Sequence, residues 1–244
     1  QFLAAMSEIA ADYLSQQELQ QLRLARHLWQ QADQYLIQLG RSFELDDVAA
    51  VIANDGRQLI ACDRISVLVR RRNGYRLLSA SGVERIDPRA GTVRSLESLA
   101  IEVATHQEPI FQQVSELAET DPTGQDTTTE RLNQSLKRHA QASGALYFAA
   151  FPARGESAEA PPVAVIAFEH FHPHPTWLDQ KPRAALLIQR SAPFLRAAIE
   201  RAEIPWMGVW QAIQKGPRLL RRPAVGIGAL LAVVIIALLA IVPA

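Results

Sequence analysis

Ile65-Ser66-Val67-Leu68-Val69-Arg70-Arg71-Arg72-Asn73-Gly74-Tyr75-Arg76-Leu77-Leu78-Ser79-Ala80-Ser81-Gly82 is where the chain changes period. Ile65–Val69 is short, apolar and rich in β-branched side chains, which suit a pleated surface. Asn73-Gly74 is the strongest short-range hairpin signal, and Tyr75–Ala80 returns as a second strand. Ser81-Gly82 ends that strand, and Asp87-Pro88 marks a loop.

Upstream the spacing is helical. A helix is predicted from about Leu45 to Ile60, with Val48, Val51, Ile52 and Leu59 inward and Asp46 and Asp47 in its first turn. Gly40 stops an earlier helix over residues 1–39. There Phe2, Met6, Ile9 and Tyr13, then Leu22, Ala25, Leu28 (or Trp29), Ala32, Leu36 and Leu39, form a near-heptad stripe interrupted by Gln16, Gln17 and Gln20.

Downstream, residues 93–106 read as a helix with Leu96, Leu99, Ala100 and Val103 on one face. Glu108–Phe111 is a short strand or its entry. Residues 115–128 are polar and read as a mobile loop, and residues 129–142 as an amphipathic helix. Ala145–Phe151 and Val163–Phe171 are two apolar strands joined by the turn 155–160. Leu178–Ala202 is a long final helix. Its Ala184, Leu187, Ser191, Leu195, Ala198 and Ala202 step at three or four, a seam suited to parallel helix pairing.

Ala61-Cys62-Asp63-Arg64-Ile65-Ser66-Val67, Leu77–Gly82, Leu99-Ala100 to Gln107-Glu108-Pro109-Ile110, Ala145–Pro152 and Val163–Glu169 occur in this order. Together, over roughly residues 40–200, they resemble a GAF domain, a small-molecule-sensing module related to PAS domains. The resemblance implies an α+β fold, a GAF-like antiparallel sheet with flanking helices. It also implies a binding and dimerisation module rather than an enzyme. In that fold a cavity lies between the sheet and the layer covering one face, here residues 82–142. Arg94, His106, His139 and Tyr147 sit on its walling elements, and Arg94, His139 and Tyr147 are the expected ligand-binding positions. The cyclic-nucleotide signature of such domains is absent. Cys62 is the sole cysteine and so the sole anchor for a bilin, yet its Cys-Asp-Arg setting fits a small packed residue. The apolar strands predict a small or largely filled cavity that serves as core and contact surface rather than as a metabolite site, and no cofactor is expected.

Lysine and arginine number 25, as do aspartate and glutamate. That balance argues against a nucleic-acid footprint. A single cysteine permits no internal disulfide, consistent with a reducing compartment. No phosphate loop, zinc-finger spacing, nucleophile elbow or paired catalytic carboxylates are found, so no catalytic residue is expected. His170, His172 and His174 could share one face of an extended segment, but Pro173 and Pro175 favour a polar loop, and no metal site is expected. Asp63 and Arg64 could pair with each other or touch a ligand.

From Ala224 to Val242 every residue is Ala, Val, Gly, Ile or Leu. About 19 such residues span the roughly 30 Å hydrocarbon core of a bilayer, which predicts a C-terminal transmembrane α-helix within residues 223–244. Lys215, Arg218, Arg221 and Arg222 crowd its N-terminal flank, so the preceding chain is expected to be cytoplasmic, at a bacterial inner membrane crossed once. Trp206, Met207, Trp210 and Ile213 share a helical face. Residues 203–222 therefore read as a basic amphipathic segment on the membrane interface, or packed against the preceding domain. The expected organisation is a dimerising helix 1–39, a GAF-like domain 40–202, this juxtamembrane segment and the membrane helix.

The layout resembles that of GAF-containing membrane fusion (periplasmic adaptor) proteins of secretion or efflux systems. It implies a lipid bilayer, a second copy of the chain and transport or secretion proteins as partners. The alternative is a fragment of a transmembrane signalling receptor.

Overall fold

The computed structural model describes residues 30–118, 127–154, 160–174 and 176–203, and positions 16, 17, 19, 20 and 26 before them. The rest of helix 1–39, the turn 155–159, residues 119–126 and the juxtamembrane and membrane segments lie outside the described residues. With them lie Trp206, Trp210, Lys215, Arg218, Arg221 and Arg222. Among the described residues no helix is long and apolar enough to cross a membrane.

Helix α1, over residues 30–39, precedes α2 (Leu45–Ile60), β1 (Arg64–Arg71), β2 (Gly74–Ala80), α3 (Gly91–His106) and β3 (Ile110–Gln113). A short 3-10 turn, Val114–Ala118, follows. Then come α4 (Thr127–Ser143), β4 (Tyr147–Ala153), β5 (Ala164–His170), a second 3-10 turn (Trp177–Gln180) and α5 (Lys181–Glu203). The strands form one sheet in the order β2-β1-β5-β4-β3, with every neighbouring pair antiparallel.

Both faces of the sheet are covered, and side-chain alternation divides the core in two. Ile65, Val67 and Val69 of β1 and Ile166 and Phe168 of β5 pack with Val48 and Ile52 of α2, Leu39 of α1 and Leu187 and Leu195 of α5. Leu68, Val165, Ala167, Phe148 and Ala150 face the other way, onto Leu96, Leu99 and Val103 of α3 and Leu132 and Leu136 of α4. Strand β5 is central and every one of its residues is buried, which accounts for the apolar run from Ala164 to Phe168.

Several boundaries move for local reasons. Arg71 pairs with Gly74, so the hairpin turn is Arg72-Asn73 and the glycine follows it. Gly74 has φ +113°, a value that favours glycine. Helix α5 begins at Lys181 because Trp177–Gln180 takes the tighter 3-10 form. The seam foreseen for a partner helix is turned inward instead: Ala184, Leu187, Ser191, Leu195 and Ala198 are buried in the chain's own core, while Ala202 is exposed.

Candidate functional site

Residues 64, 66 and 68 of β1 point to the α3–α4 side, and so does residue 169 of β5. Glu169 is therefore a carboxylate placed inside the molecule, with a side chain that has no solvent exposure. Arg64 forks it: Nε donates to Oε2 at 2.6 Å and Nη2 to Oε1 at 2.7 Å. His139 of α4, itself wholly buried, donates from Nε2 to Oε1 at 3.0 Å. Burial alone would raise the Glu169 carboxyl. The hydrogen bonds from His139 and Arg64, with their charge, outweigh it and hold the group below its ordinary value. On the far side of the imidazole, Nδ1 lies 2.9 Å from Ser95 Oγ, which also lies 3.0 Å from the Thr92 carbonyl oxygen. The outer face of Arg64 covers the Phe171 ring at 4.8 Å. One polar chain thus ties β1 to β5, α4 and α3.

Ser95, His139 and Glu169 have the hydroxyl–imidazole–carboxylate connectivity of an acyl-transfer triad. His139 is fully enclosed, whereas Ser95 is partly exposed and does not line the adjoining cavity. Through Glu169 this trio is tied to Arg64.

That cavity holds about 190 Å³. Arg64, Ser66 and Leu77 form its floor on the sheet. The loop after β2 contributes Arg85 and Asp87, and the first turns of α3 contribute Thr92 and Leu96. Ser66 is 1% exposed, and its Oγ has no hydrogen-bond partner among the described residues. A buried hydroxyl left unpaired costs stability, so its retention points to a ligand or solvent partner in the cavity. Helix α3 begins there with no capping side chain and no acidic residue in its first turn, so its free N–H groups and positive dipole end open at the site.

The expected ligand positions do not converge on this space. Arg94 is exposed on α3, and His139 lies behind Arg64 in the polar chain. Tyr147 packs on the opposite side of the sheet, 5.2 Å from the Trp177 ring. His106 is half-buried at the end of α3. The residues that do line the cavity, Ser66 and Arg85, carried weak sequence signals: a lone serine in an apolar strand and an arginine in a loop. Glu169, a charge within an apolar strand, was the stronger signal.

Asp63 does not pair with Arg64. Its Oδ2 accepts the Phe171 N–H at 2.7 Å, fixing the exit of β5. Cys62 is buried against α2 in the other half of the core, and burial pushes its thiol up to about 12. It offers neither the access nor the thiolate that covalent attachment requires. His170 Nε2 donates to Gln180 Oε1 at 2.9 Å, and the Gln180 amide nitrogen points at His174 Nε2 at 3.4 Å, while His172 is exposed. Among the described residues no group of three or more ligating side chains could hold a metal ion.

A larger groove of about 330 Å³ lies between α1, the end of α2 and α5. Ala32, Leu36, Leu59 and Leu186 make it mainly apolar, with Arg183 and Arg190 at its side. It lacks the convergent buried polar groups that fix the orientation of a small ligand.

No protein-family model matches the chain, and no curated protein sequence does. Solved structures match by fold. A bacteriophytochrome from R. palustris is 11% identical, with a TM-score of 0.53, over 78% of this chain and 41% of that one. The chromophore-binding domain of the same protein is 11% identical at a TM-score of 0.51, over 73% and 64%. The GAF domain from Acinetobacter phosphoenolpyruvate-protein phosphotransferase is 11% identical at 0.49, over 73% and 98%. At these identities the likeness is one of fold: the chain has the α+β GAF fold, a five-stranded antiparallel sheet with flanking helices.

Proposed function

We propose that this chain is a membrane-anchored regulatory module in which a cytoplasmic GAF-fold domain binds a small molecule and passes the binding state to an attached protein. The observation that carries it is the cavity over β1 and β2, with the buried, unpartnered Ser66 hydroxyl at its floor. A chromophore-binding domain among the matched structures supports small-molecule binding as a use of this fold. The position of Cys62, behind the sheet, argues for a reversible ligand over a thioether-linked one.

The module is not itself an enzyme in this reading, which the full burial of His139 and the absence of Ser95 from the cavity lining support among the described residues. The apolar run 224–242 and its basic flank support a single inner-membrane span with the domain on the cytoplasmic side. In this reading the juxtamembrane segment, residues 203–222, rests on the bilayer, and copies associate through their flanking helices, where Ile37 and Leu186 remain exposed. The two hosts, a membrane fusion adaptor and a signalling receptor, share this module. A sensory fold supports the receptor at least as well as the adaptor.

The test is a thermal-shift screen of the detergent-solubilised full chain against small metabolites, beside Ser66→Leu, which fills the floor of the cavity. The reading expects at least one compound to raise the melting temperature of the parent and not of Ser66→Leu. Equal shifts in both proteins would place binding elsewhere and overturn it.

A further inference from the structure

We infer that the ligand of this cavity is a small monocarboxylate. The inference rests on the reading of the cavity as a ligand site and names its chemistry.

Four features converge on a single negative charge. Arg64 uses Nε and Nη2 on Glu169, and its Nη1 has no partner among the described residues. Arg85, an exposed residue of the loop, lines the rim and adds a second basic side chain. The uncapped start of α3 adds N–H groups and the positive end of a 16-residue helix. The Ser66 hydroxyl, 1% exposed and unpaired, gives the hydrogen bond that completes a site for a polar oxygen.

Two further features limit the charge and the size. Asp87 lines the same space and Glu169 already holds Arg64, so two cations face two anions and the surroundings carry no net charge. The free Nη1 of Arg64 and the N–H groups of α3 can take up one negative charge, and a second would meet the Asp87 side chain. A volume of about 190 Å³ lies below the range of pockets that take drug-sized ligands and suits a small acid such as a three-carbon one. Leu77 and Leu96 offer apolar contact for its carbon chain.

The arrangement also explains why the carboxylate would be sensed. Arg64 belongs to both the cavity and the buried chain to Glu169, His139 and Ser95. A ligand that draws on Nη1 acts on the group that ties β1 to α4.

The experiment is calorimetric titration of the detergent-solubilised full chain with lactate, in parallel with lactamide, succinate and inorganic phosphate. Lactate is expected to bind saturably with a Kd of about 1 mM or below. Lactamide, its uncharged counterpart, should bind at least tenfold more weakly, and so should succinate and phosphate. Arg85→Ala changes an exposed loop residue and should weaken lactate tenfold or more with an unchanged melting temperature. Ser66→Ala should weaken lactate while melting no lower than the parent. Lactate binding that survives both substitutions, or a preference for phosphate or succinate, would overturn the monocarboxylate assignment.

Saturable binding of an uncharged or cationic metabolite, lost in Ser66→Leu, would also overturn it while leaving the regulatory module standing. The absence of cavity-dependent binding for every class would remove both.

Discussion

Glu169 shows how one residue organises the α3–α4 side of the fold. A buried carboxylate is tolerable because Arg64 and His139 satisfy it, and removing one member of such a set exposes the desolvation cost of the others. Glu169→Gln is expected to destabilise the chain by about 3 kcal/mol, the low end of the range for a broken buried pair, because Arg64 keeps some access to water. The pH dependence follows from the direction of the shift. A carboxyl held below its ordinary 4.5 contributes stability that is full above that value. The contribution is lost as pH falls through the folded-state value. Denaturation midpoints should therefore fall on acidification below about pH 4.5, and Glu169→Gln should flatten that limb. A parallel acid limb in both proteins would assign the loss to other carboxylates. Cys62 gives a second check at this scale. Its thiol, pushed up to about 12 and 6% exposed, should resist iodoacetamide at pH 8 in the native chain and react once denaturant is added. Rapid labelling of native protein would contradict its placement behind the sheet.

At the scale of elements, α5 presents two faces with different fates. Leu195 is fully buried, whereas Leu186 is 45% exposed at the apolar groove. Leu195→Glu is expected to unfold the domain, because it buries a charge without a partner. Leu186→Glu should fold normally and lower the fraction of dimer measured by sedimentation. If both fold and only Leu195→Glu separates the copies, the seam of small residues pairs between chains after all. The strands, the hairpin and the four principal helices of the domain were legible because their periods differ and their ends carry turn residues. The seam on α5 was misassigned because periodicity reports that a face is buried and not what buries it. The hairpin glycine was placed one residue early for a related reason: an Asn-Gly pair fits more than one turn, and the register is set by the whole ladder. The cavity was the least legible part. Its floor and rim come from residues 64–66, 77–87 and 92–96, and no local pattern states that a serine at 66 lacks a partner.

For the whole molecule, the account joins a GAF-fold domain to a bilayer through the basic stretch ending at Arg222. A periplasm-active reporter fused after Ala244 should be active, and the same reporter after Arg201, in a chain truncated before the membrane helix, should be silent. The reverse pattern would turn the domain to the other side of the membrane and remove the cytoplasmic reading. The central claim, however, is that the cavity above β1 is where this module meets its ligand. Hydrogen–deuterium exchange on the full chain in nanodiscs measures that most directly, comparing the free protein with the protein saturated by the metabolite that most raises its melting temperature. The account predicts slower exchange in residues 64–66 and 83–96, with a smaller effect in α4 around His139. Protection confined to α1 and residues 183–190, at the apolar groove, would contradict it.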